Sequence, residues 1–236
     1  MKRTWLGAVG AIMLAGAAAA QDLNTAEIVV TGSRIEQDGY SRDMPAVGLR
    51  RPADYLVQEV IIRGDTRDAK QRSQEIYAML TKAIELAGKN GVELAYGDYI
   101  LTPLNVGNMK ELSLANDNRP DSQRITFLAK VKLSSSMSGK QAQEKIEKYV
   151  DSVPEVGRAQ MDSADDPTLS IVGPDGYRAQ IAAVVGEDAR SLAAKIGEGY
   201  KVQIEGLNMP VQWTRSGPSE VLLYIPYKLT IVPQRQ

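Results

Sequence analysis

From Arg124 to Leu133 apolar and polar side chains alternate, with Ile125, Phe127, Ala129, Val131 and Leu133 on one side and Arg124, Thr126, Lys130 and Lys132 on the other. A period of two over this length reads as a β-strand with one face against a core and one face in water. Such a strand needs neighbours in a sheet and something apolar to cover its dry face. The other strand-type runs are Ile28–Val30 with Thr31 and Gly32, Ala53 to Arg63, Val92 to Leu104, Arg158 to Met161, Thr168 to Val172, Tyr200 to Leu207 and Glu220 to Val232. The last contains Pro226, which cannot donate to a ladder and marks an edge or a bulge. An acidic turn, Asp162 to Pro167, separates the two short runs before residue 173, and Gln37 to Pro52 reads as a loop or irregular hairpin.

Three helices supply the cover. Ala69, Ser73, Ile76, Leu80, Ala83, Ile84 and Ala87 form one stripe behind a cap at Asp65 or Thr66. Ser138 and Gln141 form a capping box ahead of Ala142, Ile146, Tyr149 and Val150. Pro174-Asp175-Gly176 opens a third helix carrying Tyr177, Ile181, Val184, Val185, Leu192 and Ile196. Strands outnumber helices and are not interleaved one for one, so the expected fold is α+β, mainly antiparallel sheets with about three helices packed on one face. The expected organisation is a leader over 1–20, a strand and loop over 21–52, and an α+β domain over 53–236. The polar connection 105–121 is the one candidate division into two lobes.

Composition narrows the chemistry. The 236 residues include no histidine and no cysteine, which removes Ser-His-Asp and Cys-His centres, thiol redox chemistry, disulfides and the usual zinc sites. Lys+Arg 28 against Asp+Glu 29 leaves no basic surplus for a phosphate backbone, so no nucleic-acid partner is expected.

The first twenty residues place Lys2 and Arg3 before the apolar run Trp5 to Gly16 and end in Ala18-Ala19-Ala20. That is the layout of a secretory signal peptide, with cleavage expected after Ala20. The apolar run falls short of the roughly 20 residues a membrane span requires. The mature chain then carries 26 cations against 29 anions, a net charge of −3. The expected location is the periplasm, with no stable span after cleavage.

No residue set forms a catalytic, cofactor or metal constellation. Asp162, Asp165, Asp166 and Asp175 lack the spacing of a calcium loop. Glu59 with Asp65, and Glu187 with Asp188, are pairs by proximity in sequence alone; a hydrolase or small-ligand binder using carboxylates is the alternative they leave open. Gly173-Pro174-Asp175-Gly176 has neither the spacing nor the lysine of a phosphate loop. Lys140, Lys145 and Lys148 interleave with Glu144 and Glu147 as a wet helical face. Ten tyrosines against one phenylalanine suit strands exposed on one face and subunit interfaces.

Taken together, the leader, Ile28-Val29-Val30-Thr31-Gly32, Arg51-Pro52-Ala53-Asp54 opening a long strand, the alanine-rich helix to Ala87, the Gly91 to Thr102 segment and the strands from Tyr200 to Val232 resemble the SIMPL-domain family of exported bacterial proteins. The Gly91 to Thr102 run and the stretch between Gly32 and Pro52 are longer here than the family pattern. The resemblance implies a non-enzymatic, oligomer-forming envelope protein with a stress-related role and no cofactor, whose partners are further copies of itself or envelope proteins. A second, local resemblance links Glu27 to Arg34 to the segment preceding the plug of TonB-dependent receptors. It implies that Ile28, Val29 and Val30 bind a partner by strand addition.

Overall fold

The computed structural model describes residues 27–30 and 47–233. The expected leader, Thr31-Gly32 and the part of the loop over 37–46 lie outside the described residues. In chain order the elements are β1 (Glu27–Val30), β2 (Leu49–Pro52), β3 (Tyr55–Gly64), α1 (Ala69–Ala87), β4 (Glu93–Tyr96), β5 (Thr102–Pro103), β6 (Ala115–Asn116), β7 (Gln123–Lys132), α2 (Gly139–Ser152), β8 (Ala159–Val172), α3 (Arg178–Ile196), β9 (Tyr200–Glu205), β10 (Gln212–Arg215), β11 (Glu220–Tyr224) and β12 (Lys228–Pro233). Short 3₁₀ turns cover Gly88–Asn90, Met109–Glu111 and Pro174–Tyr177. The fold is α+β with antiparallel sheets, as the alternating strands and three helical stripes imply.

The large sheet runs β1-β8-β3-β7-β4-β5, with β6 beside β7, and β10-β11-β2 and β12-β9 form two smaller sheets. The central strand β3 holds Leu56, Val60 and Ile62 against the helices, and β7 adds Ile125, Phe127, Ala129 and Val131 to the same buried cluster. That is the dry face expected from the alternation. α1 contributes Ile76, Met79, Leu80 and Ala83, and α2 contributes Ala142, Ile146, Tyr149 and Val150. The Tyr149 hydroxyl is buried between the helices and donates to the Ala83 carbonyl at 2.9 Å. The Ser138–Gln141 capping box forms as read. For α1 the cap is Asp68, which accepts from the Gln71 amide at 2.7 Å, two to three residues later than Asp65 or Thr66. α3 packs against β9 and β2. Leu104 and Leu112 enter the common core and β6 pairs with β7, so the polar connection after Leu104 is fastened to the large sheet.

Three departures from the sequence reading have identifiable causes. The run from Val92 to Leu104 is a hairpin, because Gly97 takes φ 121° and turns the chain so that Ile100 bridges to Ile28. A side chain at residue 97 would strike the Ile100 carbonyl. Pro226 breaks the last run into β11 and β12, which join different sheets. Leu49–Pro52, a leucine followed by two arginines and a proline, is a strand because β11 pairs with it.

The acidic stretch Asp162 to Pro167 is not a turn between two strands but part of one 14-residue strand, β8. Its pairing with β3 shifts between Val57↔Thr168 and Glu59↔Ala164, leaving Gln58 to face the surplus residues, with Asp165 at φ 53°. The buried Gln58 amide donates to the Ala164 carbonyl and, at 2.9 Å, to that of Asp165. One side chain thus satisfies backbone acceptors that the bulge removed from the ladder. Gln58→Leu leaves both carbonyls without that donor and is expected to cost about 1–3 kcal/mol in urea unfolding. A midpoint equal to that of the parent chain would contradict this role for Gln58.

Candidate functional site

Lys130 belongs to the row of β7 side chains that the alternation assigned to water, yet it is 5% exposed. The reason is curvature. β1 lies three strands from β7 in sheet order, but the Leu101 amide donates to the Glu27 carbonyl at 3.0 Å and Ile28 bridges to Ile100. The β1 edge therefore meets the β4–β5 hairpin, and the face turned away from the helices closes over Lys130. Its ammonium contacts the Glu27 carboxylate, lies 3.4 Å from Glu93 and sits 4.2 Å from the centroid of the Tyr55 ring. Ser170 donates to the other Glu27 oxygen at 2.6 Å, and Tyr55 donates to Glu93 at 3.4 Å. Burial first, and then the Glu93 and Glu27 charges, push the Tyr55 hydroxyl up to about 12, so it remains a donor throughout the physiological range. Two carboxylates from β1 and β4 thus meet one ammonium from β7. The cluster is a lock between strands.

Asp54 makes a second junction close by. Its carboxylate accepts from the Val172 amide at 2.7 Å and from Arg51 at 2.8 Å, while its carbonyl accepts from the Leu133 amide. The Pro52-Ala53-Asp54 motif thus ties the start of β3 to the ends of β7 and β8.

At the opposite end of β3 lies an open cleft of about 630 Å³, lined by charged side chains that include Arg63, Asp65, Asp117, Arg119, Arg158 and Asp162. Arg158 grips Asp65 through two bonds of 2.6 and 2.9 Å. Arg63 stands 3.4 Å from both Asp117 and Asp162, and Arg124 is 3.8 Å from Asp117. Glu75 accepts from the Thr66 hydroxyl at 2.5 Å, from Gln71 at 2.9 Å and from the Arg158 amide at 3.2 Å. Gly157, at φ 60°, makes room for that carboxylate, which a side chain there would strike. The hydrogen bond from Arg158 holds the Asp65 carboxyl below its ordinary value, and the bond from Thr66 does the same for Glu75. A carboxyl that is to act as a general acid near neutrality needs the opposite shift. Asp65, Asp117 and Asp162 are each paired with an arginine.

The structure scatters the other carboxylates singled out in the sequence. Glu59 and Asp65 are six residues apart along and beyond an extended strand, about 20 Å at strand rise, with Glu59 opposite Ala164. Glu187 pairs with Arg190 at 2.5 Å on the exposed side of α3. Asp162 faces Arg63, and Asp175 accepts from the Val211 amide at 3.2 Å. Among the described residues no three acidic side chains come together as a cation would require. Ile28 is fully buried in the helix-facing core, and β1 pairs with β8 in the register Glu27↔Val172 to Val30↔Leu169. The backbone of Ile28, Val29 and Val30 is therefore engaged in the large sheet. The lysine cluster was invisible in the sequence, since Lys130 reads as one more wet-face cation; the only hint is Glu27, a lone acid at the head of an apolar strand.

No protein-family model and no curated protein matches the chain. Among solved structures it is similar to a hydrolase from Listeria innocua, at 9% identity over 77% of this chain and 92% of that one, with a TM-score of 0.16. An uncharacterized conserved protein from the same organism aligns at 10% identity over the same shares, with a TM-score of 0.15. TM-scores this low carry no argument about fold or function.

Two outcomes test the electrostatics. Lys130→Met leaves Glu27 buried without its cation and is expected to destabilise by about 3–5 kcal/mol, most of it recovered by adding Glu27→Leu; a purely additive loss in denaturant titrations of the two single and the double variant would contradict the lock. Asp65 and Glu75 have folded-state values below their unfolded ones, so the stability they provide is present above about pH 5 and is lost as pH falls through the folded values. Asp65→Asn with Glu75→Gln should therefore flatten the acid limb of the stability profile. An unchanged limb would show that these pairs carry none of it.

Proposed function

We propose that the chain is an exported periplasmic protein of SIMPL type that acts by self-association or by binding envelope partners and performs no catalysis. The observation that carries this reading is apolar surface on the C-terminal third. The α3 stripe Ile181, Val185 and Ala189 is buried, but its continuation through Leu192 ends at Ile196, which is 43% exposed. Tyr200 and Ile231, on the β9–β12 pair, are exposed as well. Exposed apolar side chains on adjacent elements favour a surface that is covered in the working state. In the charged cleft Asp65, Asp117 and Asp162 are each engaged by an arginine, and Asp65 is held below its ordinary value, the opposite of what a general acid needs. The Asp54 junction gives the Pro-Ala-Asp motif a reason to open β3. With Ile28 in the core, strand addition through Ile28, Val29 and Val30 would require β1 to leave the sheet, so contacts at the other end of the molecule are favoured.

Expression with the native leader, osmotic-shock fractionation, N-terminal sequencing and in-cell crosslinking with mass spectrometry test this reading. The expected result is a periplasmic chain beginning at Gln21 and crosslinked to itself or to envelope proteins. A chain retained with its leader in the cytoplasm, or one with no crosslinked species, would contradict it.

A further inference from the structure

β9 reads Tyr200-Lys201-Val202-Gln203-Ile204-Glu205, and one of its edges is taken by β12. Among the described residues no strand pairs with the other edge. Placed antiparallel to a second copy of itself about Gln203, this segment is self-complementary. Lys201 falls opposite the second copy's Glu205, Val202 opposite Ile204, Gln203 opposite Gln203, and each pair recurs by symmetry. Lys201, Gln203 and Glu205 all point to the wet face and are exposed, whereas Val202 and Ile204 are partly buried on the other. Gln203 already donates to Glu205 at 3.1 Å, so the polar face is held in line along the strand.

We propose that two copies of the chain pair through β9 across a two-fold axis at Gln203, forming a continuous β12-β9-β9-β12 sheet. This deepens the self-association reading and rests on it. A two-fold contact must be self-complementary, and opposite charges directly across an antiparallel pair stabilise while like charges repel. The arrangement extends a two-stranded unit, marginal by itself, to four strands. It removes an open edge that is otherwise a hazard. The added strand places Val202 and Ile204 of the second copy beside their counterparts, which lengthens the apolar floor on which the exposed end of α3 can rest. β12 does not offer the same match: its outer edge carries Lys228 with no acid in the strand and ends at Pro233.

Charge reversal tests the pairing. Size-exclusion chromatography with light scattering on the chain from Gln21 should give a dimer, or a larger species built from dimers, at micromolar concentration. Lys201→Glu and Glu205→Lys should each weaken it by about tenfold or more, because both cross-strand pairs become like-charged. The double variant should restore it. Native mass spectrometry of an equimolar mixture of the two single variants should show the mixed dimer in preference to either homodimer. Thermal melts separate loss of pairing from loss of fold: Lys201→Glu is expected to match the parent, whereas Glu205→Lys also faces Lys228 across β9–β12 and is expected to melt somewhat lower, so Lys201→Glu carries the single-variant test. A monomeric parent would overturn both this pairing and self-association. A parent oligomer indifferent to the single reversals, or not restored by the double one, would overturn the β9 pairing alone.

Discussion

β3 pairs with β7 at every residue from Tyr55 to Gly64 and, on its other edge, with β8 at every residue but Gln58. Its burial on both faces over most of this length leaves little freedom for its neighbours. One face must meet α1 and α2. The other must be closed by something, and a flat sheet would leave Val57, Ile61 and the stem of Lys130 in water. Curling the sheet until β1 meets the β4–β5 hairpin closes it. The Lys130–Glu27 contact, with Ser170 and Tyr55 completing the bonds, specifies where β1 stops along β8. A buried ion pair is weak as net stabilisation, because desolvation offsets attraction, but removal of one partner is costly. Its contribution here is to register.

The elements with strong period were legible in the sequence. The β7 alternation and the α2 capping box with its four buried residues follow from side-chain spacing alone. What was not legible depends on contacts distant in sequence. Leu49–Pro52 has no strand pattern of its own and is ordered by β11. The Asp162–Pro167 stretch has the composition of a turn, yet it stays in β8 because Gln58 satisfies its carbonyls. Arg72 and Glu75 interrupt the apolar stripe of α1 and are nevertheless buried, since Gln123, Thr66 and the Arg158 amide supply partners. Lys130 was assigned to water for the same reason: the pleat determines which face a residue takes, but only the curl of the whole sheet determines whether that face is wet.

The same contrast separates the two ends of the molecule. Around β3 the charges are paired and the apolar side chains of both faces are covered. Around α3, β9 and β12 the apolar stripe runs on past its cover, and the outer edge of β9, unpaired among the described residues, carries a self-complementary sequence. In a chain without histidine or cysteine, surface of the second kind is where selective contacts can be built.

β1 is a structural strand locked into the sheet, which leaves the far end of the molecule for the proposed assembly. Residue-resolved hydrogen exchange tests this most directly. The protected amides of Glu27–Val30 should exchange as slowly as those of β3, with an opening free energy close to that of global unfolding. Exchange in β1 orders of magnitude faster than in β3, as for a detachable strand, would contradict it.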